Sequence, residues 1–308
     1  MPDVIVVGDI DTDTFYIVPH IPQWDEGVLV KEVFERPGGK GANTASALSH
    51  LGVDTGIISA VGNDHFGDVG IAGLRTNNVD ITGVQILDGL RTYYCIMMLD
   101  PSGEKAILVV DTDLIYPTSK ILEDSTDYLL NAKHAHFIGI DPLRMVSSMQ
   151  KAKEAGLSVS VDLDAAYTGL DACARAIQWS DIVFVNRQGA CTLYPDLETE
   201  EILRRIKSFG PTTVLITSGN AGAAGISCDE VCTIPSFKVP VVDTTGAGDI
   251  FSASFLFAYL QKWDLKKSMI FASASAAISV AKIGGQSALS TQDEILQFIN
   301  NYPLESVI

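Results

Sequence analysis

Short apolar runs alternate along this chain with segments of helical periodicity, and that alternation limits the fold more than any other feature. The apolar runs have the length and continuity of fully buried parallel strands, and they span residues 4–7, 56–61, 135–138, 157–161, 182–185 and 214–217. Helix-like segments lie between them, at 42–51, 67–77, 142–154, 170–179 and 200–209. This order predicts an α/β fold with a three-layer core, in which helices cover both faces of a mostly parallel sheet. Ligands of such sheets bind at the carboxyl ends of the strands.

Two segments break the alternation. Residues 14–36 contain extended-looking pieces with no helical period, and residues 91–110 contain two β-rich runs joined by the turn signal Asp100-Pro101-Ser102-Gly103. A small sheet inserted twice into the core explains both segments. We therefore predict an α/β catalytic core at 1–13, 38–90 and 111–308, and a β-sheet lid at 14–37 and 91–110 that projects over the strand ends.

Composition excludes several classes of function. The net charge of −17 disfavours binding to nucleic acid, which needs a basic surface. The five cysteines include no CxxC pair, so no zinc knuckle is indicated. The N-terminus carries Asp3 and Asp9 instead of the basic residues of a signal peptide, and the longest apolar stretches are shorter than a membrane span. We expect a cytoplasmic enzyme without a membrane partner.

The first motif with chemical content is "PGGKGANTASALSHLG", residues 37–52. Its glycines let the backbone approach a ligand closely, and the helix that follows directs its first N–H groups outward. The spacing is neither that of a Walker A loop nor that of a GxGxxG dinucleotide turn. The alternative interpretation is a tight turn from strand to helix with an exposed lysine.

The second motif is "VVDTTGAGDIFSASF", residues 241–255. Backbone N–H groups of Gly246, Ala247 and Gly248 can form a nest for a phosphoryl group in transfer. Asp249, in the first turn of the helix, can accept a proton from an attacking hydroxyl. The alternative is that Asp249 caps a helix and Asp243 ends a strand.

Together the two motifs resemble the signatures of the ribokinase-like (PfkB) carbohydrate kinases. They stand in the expected order, and the resemblance covers essentially the whole chain. It implies a ribokinase-like core with a small β-sheet lid, which agrees with the elements predicted above. It also implies binding of ATP with Mg²⁺, and activation by K⁺ in some members.

The resemblance assigns roles to individual residues. For the sugar, Asp13 matches the acid that holds it, with Asp11 in the neighbouring polar position, and the hydroxyl contacts match Gly38, Gly39, Lys40 and Asn43. Asp249 matches the catalytic base, which also touches the acceptor hydroxyl, and 246–248 match the anion hole. The nucleotide positions are Asn186, Thr217, Gly219, Gly222 and Gly248. The monovalent-cation loop matches Asp243 and Thr245, with backbone near Gly284 and Gly285.

One position departs from the family pattern. The Asn-x-x-Glu motif that orders Mg²⁺ is represented here by "NRQG", so Asn186 is present but Gly189 stands in place of the Glu. Mg²⁺ keeps several of its waters in most sites, and water with nucleotide phosphate can supply much of its shell.

The function predicted is ATP-dependent phosphorylation of a primary hydroxyl of a sugar, with a ribose-like pentose as the first choice. A sugar phosphate is an alternative that would use the lid cations Lys31, Arg36 and Arg91, and a nucleoside is another that would stack on Tyr93 or Tyr94. A non-catalytic sensor is the rival from another class, since Gly189 replaces a metal-ordering Glu.

Two further expectations complete the prediction. A hydrolase or dehydrogenase is disfavoured because the GxSxG elbow and the GxGxxG fingerprint are missing. The lid would expose apolar runs such as 94–99 if it stood alone, so we expect a homodimer formed through the lid.

Overall fold

The structure, a computed structural model, describes residues 1–101, 105–112, 114–139, 141–163 and 169–302. Its strands are β1 (Val4–Val7), β2 (Asp11–Ile17), β3 (Glu32–Gly38), β4 (Thr55–Gly62), β5 (Asp80–Leu87), β6 (Tyr94–Leu99), β7 (Lys105–Val110), β8 (His134–Gly139), β9 (Ser158–Leu163), β10 (Ile182–Asn186), β11 (Thr213–Thr217), β12 (Ala223–Ser227) and β13 (Glu230–Ile234). Its helices are α1 (Lys40–His50), α2 (His65–Thr76), α3 (Ser119–Asp124), α4 (Thr126–Leu130), α5 (Pro142–Glu154), α6 (Leu170–Ile177), α7 (Arg187–Leu193), α8 (Thr199–Lys207), α9 (Ala247–Leu260), α10 (Leu265–Ser279) and α11 (Gln292–Asn301).

Within the described residues, nine strands form the core sheet, in the order β13-β12-β11-β10-β9-β8-β1-β4-β5. The seven strands from β11 to β5 are parallel, and the hairpin β12-β13 is added antiparallel at one edge. All four residues of β1 are fully buried, as expected for a central strand covered on both faces. The chain leaves β1 for β4 on one side and later returns to β8 on the other. The carboxyl end of β1 is therefore the switch point at which such sheets bind ligands.

Four strands form a separate small sheet, in the order β3-β2-β6-β7. Strand β2 pairs with β3 antiparallel and with β6 parallel, so the two inserted segments meet in one sheet. The sheet has its own apolar cluster, in which Phe15, Tyr93, Cys95 and Met97 are buried. Strand β7 is an edge strand, and Ile107, Leu108 and Val109 are each about half exposed there (47%, 52% and 57%).

The predicted fold class is confirmed, and each predicted strand and helix of the core is present within a few residues. Strand β5 and the hairpin β12-β13, at the two ends of the sheet, were not among the predicted core strands. Strand β5 is only half-buried and carries Gly83 and three polar residues, and β12 reads "AAGIS", so neither has the continuous apolar run of a buried strand. The small sheet begins at Asp11, and the turn predicted at 100–103 lies partly outside the described residues. No helix in the described part of the chain combines the length and apolar character needed to cross a membrane.

Candidate active site

A cleft of about 790 Å³ lies between the carboxyl ends of the core strands and the small sheet. It draws residues from both motifs. Its lining includes Asp9, Asp11, Asp13, Gly39, Lys40, Asn43, Asp162, Asn186, Thr217, Thr245, Gly246, Gly248, Asp249 and Ser252. From the small sheet come Tyr93, Cys95, Met97 and Lys105, together with the partly exposed apolar residues of β7 at 107–109. Most of the residues that the sequence assigned to sugar, phosphate and nucleotide thus face one cavity.

Asp9 holds the start of helix α1 at the floor of this cleft. The N-cap residue of α1, Gly39, has no side chain to cap with, and Asp9 supplies the missing acceptors. Its carboxylate accepts hydrogen bonds from the backbone N–H of Gly41 at 2.9 Å and of Lys40 at 3.1 Å. The positive end of the helix dipole also stabilises a carboxylate in this place. No role was predicted for Asp9, although a carboxylate two residues beyond a buried central strand is a recognisable signal.

Gly39 explains why the first motif needs glycine. Its φ of 94° lies in the left-handed region, and a Cβ there would stand 2.8 Å from the backbone nitrogen of Asp11. Gly39 therefore packs closely against the backbone at residues 9–11, between β1 and β2, and it also lines the cleft. The first motif acts as a tight turn that brings Lys40 and Asn43 to the cleft.

The N-terminus of helix α9 lies at the same cleft. Its N-cap Gly246 adopts φ 75°, and a Cβ at that position would stand 2.7 Å from Cα of Gly285. The first N–H groups of a helix have no acceptor within the helix, so this end can bind an anion. The N–H of Ala247 makes only a long contact, 3.3 Å, with the carbonyl of Thr244. Gly246 and Gly248 both line the cleft beside Asp249.

Asp249 is buried and is held by the other motif. Its Oδ2 accepts a 2.9 Å hydrogen bond from Nδ2 of Asn43, on helix α1. Burial raises the pKa of Asp249 to about 7, and the charges of Asp162 and Asp9 act in the same direction against Lys40 and Asn43. A carboxyl that titrates near neutral pH is well matched to general-base chemistry. The geometry and the pKa both suit a residue that accepts a proton inside the cleft.

Two carboxyls of strand β2 occupy the small-sheet side. Asp11 and Asp13 are almost fully buried (4% and 5% exposed). Burial, followed by the charge of Asp243, raises the pKa of Asp13 to about 7, and burial together with Asp13 raises the pKa of Asp11 well above its ordinary value. Oδ1 of Asp11 has no hydrogen-bond partner among the described residues. Because an unpaired buried acceptor is costly, this atom suits a hydroxyl donor from a ligand.

The opposite end of the cleft lies at the carboxyl ends of β9, β10 and β11. Asp162, Asn186 and Thr217 line it in that order. Asp162 accepts a 3.0 Å hydrogen bond from the hydroxyl of Ser252, on α9. Oδ1 of Asn186 accepts the N–H of Gly189 at 2.7 Å, so this side chain caps helix α7.

Several residues that were predicted to bind a ligand do not line the cleft. Gly219 and Gly222 belong to a short 3₁₀ turn after β11 and do not line the described cleft. Lys31, Arg36 and Arg91 are exposed and are also outside its lining. Tyr93 faces the cleft, whereas the ring of Tyr94 stacks on Phe66 with centroids 4.3 Å apart. The lysines that do line it are Lys40 and Lys105, of which sequence analysis named only the first.

Asp243 organises the loop that leads into α9. Its Oδ1 accepts from the N–H and the hydroxyl of Thr245, at 2.9 and 2.7 Å, and its Oδ2 accepts from the N–H of Gly284 at 2.9 Å. Lys105 reaches the same loop from strand β7. Burial raises the pKa of Asp243, but the hydrogen bonds from Gly284 and Thr245 and the charge of Lys105 outweigh it and lower the pKa overall. This carboxylate is therefore ionised at neutral pH.

Comparison with known proteins gives the same fold and family. The family described as "pfkB family carbohydrate kinase" matches residues 1–292. An ATP-dependent ribose-1-phosphate kinase from Halopiger xanaduensis is 29% identical over 97% of this chain and 99% of its own length. A ribokinase from Bacillus subtilis is 29% identical over 97% of this chain and 100% of its own. The crystal structure of a ribokinase from Thermotoga maritima superposes with a TM-score of 0.83 at 24% identity, covering 98% of this chain and 100% of the other.

The fold, the cleft and these matches define a phosphotransferase for sugars or nucleosides. The chain belongs to the pfkB family of carbohydrate kinases.

Proposed function

We propose that this protein transfers the γ-phosphate of ATP to a primary hydroxyl of a ribose-like pentose, with Asp249 as the general base. The observation that carries the proposal is the hydrogen bond from Asn43 to Asp249. It joins the helix that follows the first motif to the helix that follows the second. A buried carboxyl with a pKa of about 7 is thereby held in the first turn of α9, in the cleft that Asp11 and Asp13 also line.

The acceptor sugar is bound on the small-sheet side in this proposal. Asp11 and Asp13 accept hydrogen bonds from its hydroxyls, and the orphaned Oδ1 of Asp11 is the clearest acceptor for one of them. Asn43 and Lys40, with the backbone of Gly38 and Gly39, contact the remaining hydroxyls. Each buried hydroxyl then finds a partner, which a site selective for sugars requires. The small sheet acts as a lid that excludes water from the transferring phosphate.

The nucleotide is bound at the opposite end. Asn186 and Thr217 contact it there, and the loop of Gly219 and Gly222 holds it from outside the cleft lining. Asp162 and Asn186 offer the oxygen donors that Mg²⁺ prefers, and water and phosphate oxygens complete its shell in place of the Glu that Gly189 replaces. Bound Mg²⁺ would neutralise charge on the nucleotide phosphates.

The proton and the phosphoryl group move in one small region. Asp249 accepts the proton from the attacking hydroxyl, and the first N–H groups of α9, from Gly246 to Gly248, bind the oxygens of the phosphoryl group. Such donors act strongly because they are already oriented toward the charge that develops. The protein's contribution is positioning and electrostatic stabilisation, which is what phosphoryl transfer requires.

A substrate that already carries phosphate is the second candidate. Its support is the relative described as a ribose-1-phosphate kinase and the presence of Lys105 in the cleft. Against it stand the five carboxylates Asp9, Asp11, Asp13, Asp162 and Asp249 that line the same cavity, because an anionic substrate would have to approach them. Free pentose therefore remains the better match.

The test is ADP release from ATP in the presence of Mg²⁺ over a panel of pentoses, hexoses, ribose phosphates and nucleosides. We expect the highest kcat/KM with a free pentose that has a primary hydroxyl. A higher kcat/KM with a sugar phosphate or a nucleoside would replace the proposed substrate. Tight binding of ligands with no turnover on any of them would instead indicate a sensor.

The assembly that fits this chain is a homodimer formed through the lid. Strand β7 leaves one edge of the small sheet unpaired within the described chain, and its residues 107–109 expose apolar side chains. Unpaired apolar edges favour association. Light scattering should give twice the chain mass, and Leu108→Lys should shift the mass toward the monomer. A monomeric wild-type protein at micromolar concentration would contradict this assembly.

A further inference from the structure

The side chain of Lys105 lies against the loop that was predicted to bind a monovalent cation. Its Nζ is 3.2 Å from Oδ1 of Asp243 and 3.0 Å from Oγ1 of Thr245. Lys105 belongs to the small sheet, and its two partners belong to the core loop that leads into α9. The Asp243 side chain is only 1% exposed and that of Lys105 is 25% exposed, so this ion pair is largely shielded from water.

These contacts leave the loop with a cation already in place. The carboxylate of Asp243 receives donors from Thr245 and Gly284 and carries a full negative charge within the fold. A buried carboxylate requires a compensating positive charge, and the ammonium group of Lys105 provides it. An inorganic ion placed against the same two side-chain oxygens would be repelled by that ammonium. The residues present therefore fit an ammonium group from the chain and do not fit a bound K⁺ beside it.

The position of this loop bears on the anion-binding end of α9. Thr245 directly precedes Gly246, the N-cap of α9. Gly246 packs against Gly285, next to the Gly284 that donates to Asp243. Charge balance at Asp243 thus holds the two loops together and fixes the direction of the amides that face the cleft.

We propose that Lys105 is the built-in cation of this loop, a positioning residue that takes the place of a monovalent metal ion and makes the protein independent of K⁺. Because Lys105 comes from the small sheet, the loop is fully ordered only when that sheet lies over the cleft. The link to catalysis rests on the proposed kinase function, whereas the ion-binding claim stands without it.

The variant Lys105→Met tests the claim, since methionine keeps the length of the side chain without its charge. Lys31→Met is the matched control, because Lys31 is an exposed lysine outside the cleft that directly precedes strand β3 of the small sheet. Melting temperature is measured at constant ionic strength in tetramethylammonium, Na⁺, K⁺ and Rb⁺ chloride. Crystals of each protein are soaked in Rb⁺, which anomalous scattering locates directly.

We expect wild type and Lys31→Met to melt at the same temperature in all four salts and to bind no Rb⁺ at Asp243. Lys105→Met should melt lower in tetramethylammonium, recover in K⁺ or Rb⁺, and show Rb⁺ beside Asp243 and Thr245. Its kcat should fall by about 10- to 100-fold in tetramethylammonium, the range that small misplacements cause, and should be partly restored by K⁺.

Rb⁺ at Asp243 in the wild type, or a wild-type melting temperature that rises specifically with K⁺, would overturn the proposal. It would also be overturned if Lys105→Met changed only the KM for a phosphorylated substrate, because Lys105 would then be a substrate ligand. Loss of the proposed kinase function would appear differently, as the absence of ADP release on every substrate with the melting and Rb⁺ results intact.

Discussion

Asn43 and Asp249 lie 206 positions apart in the chain and are joined by a buried hydrogen bond of 2.9 Å. Each belongs to a helix that starts at the cleft, and each helix follows a glycine motif. The contact sets the orientation of the carboxyl in the first turn of α9.

Removal of the carboxylate should abolish turnover without unfolding the protein. Asp249→Asn keeps the size of the side chain and loses the proton acceptor, so kcat should fall by about 10²- to 10⁴-fold. Asp264→Asn is the control, because Asp264 caps helix α10 and asparagine caps equally well. Steady-state ADP release and melting curves measure both effects. A kcat for Asp249→Asn close to that of the wild type would remove Asp249 from the base role.

Asn43 should tune the pH dependence of the reaction. Its hydrogen bond lowers the pKa of Asp249, which burial raises to about 7. The acidic limb of kcat/KM should therefore lie near pH 7 in the wild type and should move to higher pH in Asn43→Ala. Ser49→Ala, further along α1, removes a hydrogen bond to the carbonyl of Asn78 and should leave the limb in place. An unchanged limb in Asn43→Ala, with only KM affected, would mean that Asn43 contacts sugar without acting on the base.

The free energy of unfolding should fall as the pH rises, whereas an ion-paired carboxyl would make it rise. Asp249 and Asp13 have an ordinary pKa of 3.8 and a folded pKa of about 7, so the folded protein holds their protons more tightly than the unfolded chain. Their stabilising contribution is complete below pH 3.8 and is lost as the pH rises through 7. The wild-type free energy of unfolding should therefore fall between pH 5 and pH 8 by more than that of Asp249→Asn.

At pH 8 the Asp249→Asn protein should melt at a higher temperature than the wild type, by at least about 2 °C, since a buried charge is removed. The comparison is made without ligand by thermal unfolding at both pH values. Equal slopes for the two proteins would show that Asp249 titrates in its ordinary range.

The two glycines of the second motif should differ in what they tolerate. Gly246→Ala places a Cβ 2.7 Å from Cα of Gly285 and forces a positive φ on alanine, so we expect a loss of about 1–3 kcal/mol in unfolding free energy. Gly248→Ala meets no atom within 4 Å and has no such φ, so it should fold with an unchanged midpoint in urea. Equal stability of the two variants would contradict the tight packing of the loops at 246 and 285.

The local sequence pattern was sufficient to predict much of the fold. Buried parallel strands are short continuous apolar runs, and β1 and β10 could therefore be located from the sequence pattern alone. Strand β5 lies at the edge of the sheet, is only partly buried and carries polar residues, whereas β12 is buried but consists mostly of small residues. Neither strand has a long apolar run, and both were missed for this reason. The motif around Asp249 was readable because a simple helix cap does not need Gly-Ala-Gly.

Long-range partners could not be predicted in the same way. Lys105 meets Asp243 across 138 positions, and nothing in the residues around it distinguishes it from Lys31. Only the register of the small sheet decides that Lys105 faces the cleft, whereas Arg36 and Arg91 lie outside it. Side-chain direction in a half-exposed sheet depends on which face the core covers, and that is a property of the assembled fold.

The most direct test of the account is a crystal structure with a non-hydrolysable ATP analogue, Mg²⁺ and the sugar selected by the substrate panel. We predict γ-phosphate oxygens about 3 Å from the backbone nitrogens at 246–248, and the primary hydroxyl of the sugar hydrogen-bonded to Asp249. A γ-phosphate bound away from that turn, or a sugar hydroxyl out of reach of Asp249, would contradict the proposed chemistry.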